Sequence, residues 1–163
     1  GGAAERWPIP RGLSPVLARA LDNGIGRAVW FLCGTEPARI EQSLARMEPA
    51  RHLDLWTGLG TACCYAGRAF PDLGEHASVL ARLGELAGPH RRALAAGVIL
   101  ANLLQRRAND ATPWAAQAAE KLVGTSAGQA AELGETAWRG ALAAPGVRFG
   151  GYRSFFDALV GHA

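Results

Sequence analysis

The sequence predicts an all-α fold, a compact bundle of seven or eight helices, and three observations predict it. Apolar residues recur at helical spacing over most of the chain. Ser14-Pro15, Thr35-Glu-Pro37, Thr112-Pro113 and Thr125-Ser126 supply N-terminal signals ahead of those stretches. Nowhere do β-branched residues alternate over the length of a strand. At 163 residues and 49% hydrophobic, the chain can bury one sizeable core, so residues 13–163 are read as one helical domain behind an extended segment, 1–12.

Each element has its own warrant. Trp7-Pro-Ile-Pro10 keeps the start extended, and Ser14-Pro15 then opens a first helix to about Leu32. At 100° per residue, Leu17, Leu21, Gly24, Ala28, Phe31 and Leu32 share one side of it. Arg19, Asn23, Gly26 and Trp30 share the other, which places Trp30 on the polar face. Thr35-Glu-Pro37 opens a second helix to about Met47, with Ile40 and Leu44 inward. A third, from Glu48 or Pro49 to Ala66, closes at Gly67. Residues 73, 79, 80, 83 and 86 carry the apolar side of a fourth helix over Asp72 to Ala87, before the Gly88-Pro89 break. The fifth, Pro89 to about Ala108, is apolar nearly all round and therefore central. A sixth runs from Pro113 to Val123 and a seventh from Ser126 to about Leu142. The loop over 145–151 then leads to a short last helix, Tyr152 to Val160.

Composition excludes several functions. The net charge of +3 comes from dispersed arginines, with no basic run interleaved with aromatics, so a nucleic-acid partner is not expected. The run from Ala93 to Leu104 is shorter than the roughly 20 residues a membrane span needs. Cys33, Cys63 and Cys64 form no Cys-x-x-Cys pair, which is the usage of a reducing compartment. His52, His76, His90 and His162 lack metal-ligand spacing, and Gly24-Ile-Gly26 lacks the strand and third glycine of a dinucleotide loop. No metal and no cofactor are expected.

What stands out is Gly24-Ile-Gly-Arg-Ala-Val-Trp-Phe31 and Arg51-His-Leu-Asp-Leu-Trp-Thr-Gly-Leu-Gly60. Each puts two glycines inside a helix, where a glycine costs about 1 kcal/mol against alanine, so each needs a close contact to offset it. One explanation is a helix crossing in which Gly24 and Gly26 face Gly58 and Gly60. Another is a polar pocket. Asp54, Gly58, Thr61 and Tyr65 are spaced i, i+4, i+7, i+11 on one face, with Arg51 at its edge. In the pocket reading, Asp54, Tyr65 and Arg27 are the catalytic candidates: Asp54 a base or charge partner, Tyr65 a donor, Arg27 a fork for Asp54 or an acidic ligand. Trp30, Trp56, Gly58 and Thr61 would bind substrate. In the plainer reading, Asp54 is a helix-start carboxylate paired with Arg51, and the tryptophans are core.

The two motifs, continued by Tyr65-Ala-Gly67 and a closing aromatic segment near Tyr152, resemble the DUF1702 family associated with enediyne biosynthesis. Thr57 stands where that family usually has Ser, Cys63-Cys64 where it has small residues, and Arg68 where a second Gly would follow. Family members are longer, so the resemblance implies the C-terminal half of a two-repeat protein, with the N-terminal half as a partner. It also implies an accessory role in converting a linear polyene, made by an iterative polyketide synthase, to the enediyne core. An apolar polyketide intermediate and proteins of the same cluster, among them a membrane protein, are the expected partners. The expected location is the cytoplasm, peripheral to the membrane only through such a partner. A non-catalytic scaffold for a partner enzyme or reactive metabolite is the alternative.

Overall fold

The structure, a computed structural model, describes residues 7–65, 69–143 and 151–163, with the backbone alone at 152–154, 156 and 162. Eight α-helices make up the described residues, with no strand among them. In order they are α1 (Pro15–Leu32), α2 (Pro37–Ala45), α3 (His52–Cys63), α4 (Leu73–Leu86), α5 (Arg91–Ala108), α6 (Pro113–Ala118), α7 (Ala127–Ala143) and α8 (Gly151–His162). Short 3-10 turns precede α3 and α5, and α6 runs on into a π-helical turn, Ala119–Val123. None of these helices is long and apolar enough to cross a membrane. The expected closure at Gly67, residues 1–6 of the extended segment and the loop over 145–150 lie outside the described residues.

The starts of α1, α2, α4 and α6 form where expected, whereas α3 and α5 begin later, at His52 and Arg91, each after a 3-10 turn and without a side-chain cap. Ser14, Asp72 and Thr112 each accept a hydrogen bond from a backbone N–H in the following first turn. Glu36 holds two such groups, those of Ala38 and Arg39. At the other end of α5, Asn109 takes the left-handed conformation (φ 53°) and lets its own N–H close the helix.

α3 lies between α1 and α5, and α7 and α8 cover α5 further out, while α2, α4 and α6 close the remaining side. Glycines set both spacings of the central layer. A Cβ at Gly26 would land on the Leu55 carbonyl, and one at Gly58 on that of Asn23, so α1 and α3 touch backbone to backbone. On the opposite side of α3, Gly60 abuts Leu94 and Gly97, and Gly97 abuts Thr57 and Thr61. Gly24 differs from the expectation, since a Cβ there meets nothing. Thr61 Oγ1 donates across the α3–α5 crossing to the Gly97 carbonyl at 3.2 Å.

The facing of α1 corrects the sequence reading. Its buried residues are Asp22, Asn23, Ile25, Gly26, Val29 and Trp30, whereas Leu17, Phe31 and Leu32 are more than half exposed. Trp30, assigned to the polar face, is fully buried against Phe70, with ring centres 6.1 Å apart. The amphipathic argument assumes that a helix packs its more apolar side. Here the glycine side packs, because only there can two backbones meet; on that side Arg19 pairs with Asp54 of α3 and Asp22 with Arg51 just before it, while Asn23 Nδ2 is buried without a partner.

α3 also ends earlier than expected, at Cys63 rather than Ala66. Its last carbonyls find side-chain donors instead of another helical turn. His76 Nε2 on α4 donates to the Cys63 carbonyl at 3.0 Å, and Gln105 Nε2 on α5 to that of Cys64 at 3.2 Å. Thr112, the cap of α6, adds its hydroxyl to the same Cys64 carbonyl. Nδ1 of the fully buried His76 meets the Gln117 side chain at 2.6 Å.

Candidate functional site

Where α1 crosses the start of α3, four charged side chains converge. Arg19 and Asp22 lie one turn apart on α1, Arg51 immediately precedes α3, and Asp54 sits in its first turn. They pair in two sets. Arg19 Nε donates to Asp54 Oδ2 at 2.9 Å, and Arg51 donates to Asp22 Oδ1 through Nε at 3.0 Å and Nη2 at 2.6 Å. Arg51 Nη1 also holds the Trp7 carbonyl at 2.8 Å, which ties the N-terminal segment down. Asp157 on α8 reaches Arg19 Nη2 at 3.4 Å. The sequence pairings of Asp54 with Arg27 or Arg51 are therefore corrected: Arg19 takes Asp54, Arg51 takes Asp22, and Arg27 is exposed.

Two buried polar atoms in this neighbourhood have no hydrogen-bond partner, Asp54 Oδ1 and Asn23 Nδ2. Burial raises the Asp54 carboxyl above its ordinary value; Arg19 opposes this, and the charges of Asp22 and Asp157 add to it. A buried carboxyl held up in this way has the character of a proton donor or acceptor. Its surroundings do not match the expected pocket. Next along the stripe, the space beside Gly58 is filled by the Asn23 backbone, and Thr61 is buried with its hydroxyl committed to Thr57 and Gly97 carbonyls. Tyr65 follows the end of α3 and is half exposed. Eleven residues at about 1.5 Å each put it roughly 16 Å from Asp54, too far for both to act on one atom.

The two tryptophans belong to separate ring clusters. Trp30 joins Phe70, which packs on His76 and Trp114 at centroid distances of 5.0 and 6.4 Å, and the Trp30 indole N–H is buried without a partner. Trp56 is buried and stacks on His90 at 5.8 Å. His52 Nε2 donates to the Met47 carbonyl at 3.0 Å, which leaves its Nδ1 to accept from His90 Nε2 at 3.3 Å. Burial, and then His52, hold His90 below its ordinary value. Cys63 and Cys64 are fully buried, and burial pushes both thiols upward, away from the thiolate a nucleophile needs. No group of three or more His, Cys, Asp or Glu residues among the described residues is arranged to hold a metal ion.

The sequence reading missed Arg19, Asp22, Asn23 and Gly97. The signal for the first three was present, because Arg19, Asp22, Asn23, Gly26 and Trp30 are spaced i, i+3, i+4, i+7, i+11. A face that contains glycine and tryptophan is a packing face even when it carries charge.

The family described as "Protein of unknown function (DUF1702)" matches residues 3–154. The chain belongs to that family. No curated protein and no solved structure matches it.

Proposed function

From its membership of the DUF1702 family we propose that the chain is an accessory protein of enediyne polyketide biosynthesis. In this reading it scaffolds a partner enzyme of the same gene cluster while the linear polyene is converted, and does no chemistry of its own. The biosynthetic part is supported by the two glycine and tryptophan motifs through which the chain resembles that family. The same resemblance takes the chain as the C-terminal half of the family's length.

One observation carries the non-catalytic part: the Asn23 backbone occupies the space beside Gly58, where a substrate on the α3 stripe would have to lie. The exposed Leu17, Phe31 and Leu32 of α1 add the kind of apolar surface by which proteins meet partners. The test is deletion of the gene in a producing strain, complemented by the wild type, by Asp54→Asn and by the triple change Leu17→Ser, Phe31→Ser, Leu32→Ser. Deletion is expected to stop core formation and accumulate polyenes, Asp54→Asn to restore it, and the triple variant to fail although folded. Unchanged core formation after deletion would remove the biosynthetic reading. A folded but inactive Asp54→Asn would return the chemistry to Asp54.

A further inference from the structure

A cavity of about 710 Å³ opens between the 3-10 turn at Gly88–His90, the first turn of α5 and the π-helical turn at Ala119–Val123. That volume lies within the range of small-molecule sites, roughly 300 to 1,000 Å³. Its polar lining is unbalanced. Arg91, Arg92 and Lys121 face Glu120 as the lone acidic side chain, so the lining side chains carry three positive charges against one negative, a net of +2. Among the described residues Arg91 and Arg92 form no ion pair, and Lys121 has only its neighbour Glu120, at 3.6 Å. Ala163 closes one side without an ion pair to any of the three. The rest of the wall includes Pro89, Leu122 and Val123, which are apolar.

Elsewhere on the surface arginines are matched only in part, since the exposed Arg27, Arg39 and Arg46 have no ion pair among the described residues. Arg106 and Arg107 pair with Glu132 and Glu135, and Arg82 with Glu85. Unpaired cations grouped around a cavity with an apolar wall are the features of an anion site, and guanidinium groups suit the several oxygens of a phosphate. A phosphate monoester, at about −1.5 to −2 near neutral pH, offers three terminal oxygens to the three cations, where a carboxylate offers two. We propose that this cavity binds a phosphate monoester with a short apolar portion, the phosphate on Arg91, Arg92 and Lys121 and the apolar part against Pro89, Leu122 and Val123. The site stands apart from the α1–α3 crossing and does not depend on the biosynthetic reading.

Hexyl phosphate and inorganic phosphate are the probes, titrated calorimetrically into the purified chain at low salt. Hexyl phosphate is expected to bind saturably and more tightly than inorganic phosphate. The double variant Arg91→Ala/Arg92→Ala should weaken it at least tenfold with an unchanged circular dichroism spectrum, and Arg106→Ala/Arg107→Ala should leave it unchanged. Amide shifts in the wild type should cluster over 88–92 and 120–124. Absent saturation, equal loss in both double variants, equal affinity for the two probes, or shifts centred elsewhere would each overturn the proposal.

Discussion

Arg19 and Asp54 are unequal partners. Burial lifts the Asp54 carboxyl above the value near 3.8 that it has when unfolded. Between the unfolded and the raised folded value the native state therefore binds more protons than the unfolded chain, and stability falls as pH rises. Above that window the ionised carboxylate is a full burden on the fold, and below it the burden is gone. Asp54→Asn should flatten this slope and, in urea unfolding at pH 7, stay within about 1 kcal/mol of the wild type. Arg19→Met leaves a buried carboxylate without its cation and should cost about 3 kcal/mol. Equal losses in the two variants would show that the ion pair itself is the stabilising unit. His90 works in the other direction. Its folded value lies below the ordinary 6.5, so its contribution is complete above 6.5 and is lost as pH falls through that value toward the folded one. Thermal unfolding between pH 7.5 and 5 should show a drop in midpoint that His90→Gln reduces; an unaltered drop would assign it to other groups.

At the scale of the elements, four glycines look alike in sequence and separate in space. Gly26 and Gly58 each face a backbone carbonyl of the partner helix, whereas Gly24 faces open space. Alanine at position 24 should raise stability by up to about 1 kcal/mol through helix propensity alone. At 26 or 58 the helices must move apart, and the loss should exceed roughly 2 kcal/mol, as overpacking against unyielding backbone does. A neutral Gly58→Ala in denaturant titrations would refute the close crossing. The same crossing explains why helical periodicity located α1 correctly and oriented it wrongly. Periodicity records which side chains share a face; it cannot tell that Asp22 and Arg51, or Arg19 and Asp54, will neutralise each other once buried. It follows that Leu17→Ser or Phe31→Ser should change stability by less than about 0.5 kcal/mol, the behaviour of surface positions. A loss of several kcal/mol would place those side chains in the core.

For the whole molecule, α3 is the middle layer: from Asp54 to Cys63 every residue is buried, with α1 on one side and α5 on the other. Its amides at Leu55, Gly58 and Leu59 should exchange with solvent only through global unfolding, more slowly than those of α2 or α8. Faster exchange in α3 than in α7 would contradict that arrangement. The all-helical class, the order of the helices, the capped starts of α1, α2 and α6 and the central place of α5 follow from the sequence alone, because spacing, caps and breaks act over a few residues. So does the importance of the glycine and tryptophan motifs. Which partner each charge takes, which face of α1 turns inward, and where α3 stops were decided only by the tertiary structure. Those outcomes depend on carbonyls and side chains brought from distant segments. Asn23 meets Gly58, Arg19 meets Asp54, and His76 meets Cys63, because backbone contact at the glycines fixes the distances at which every other pair must match.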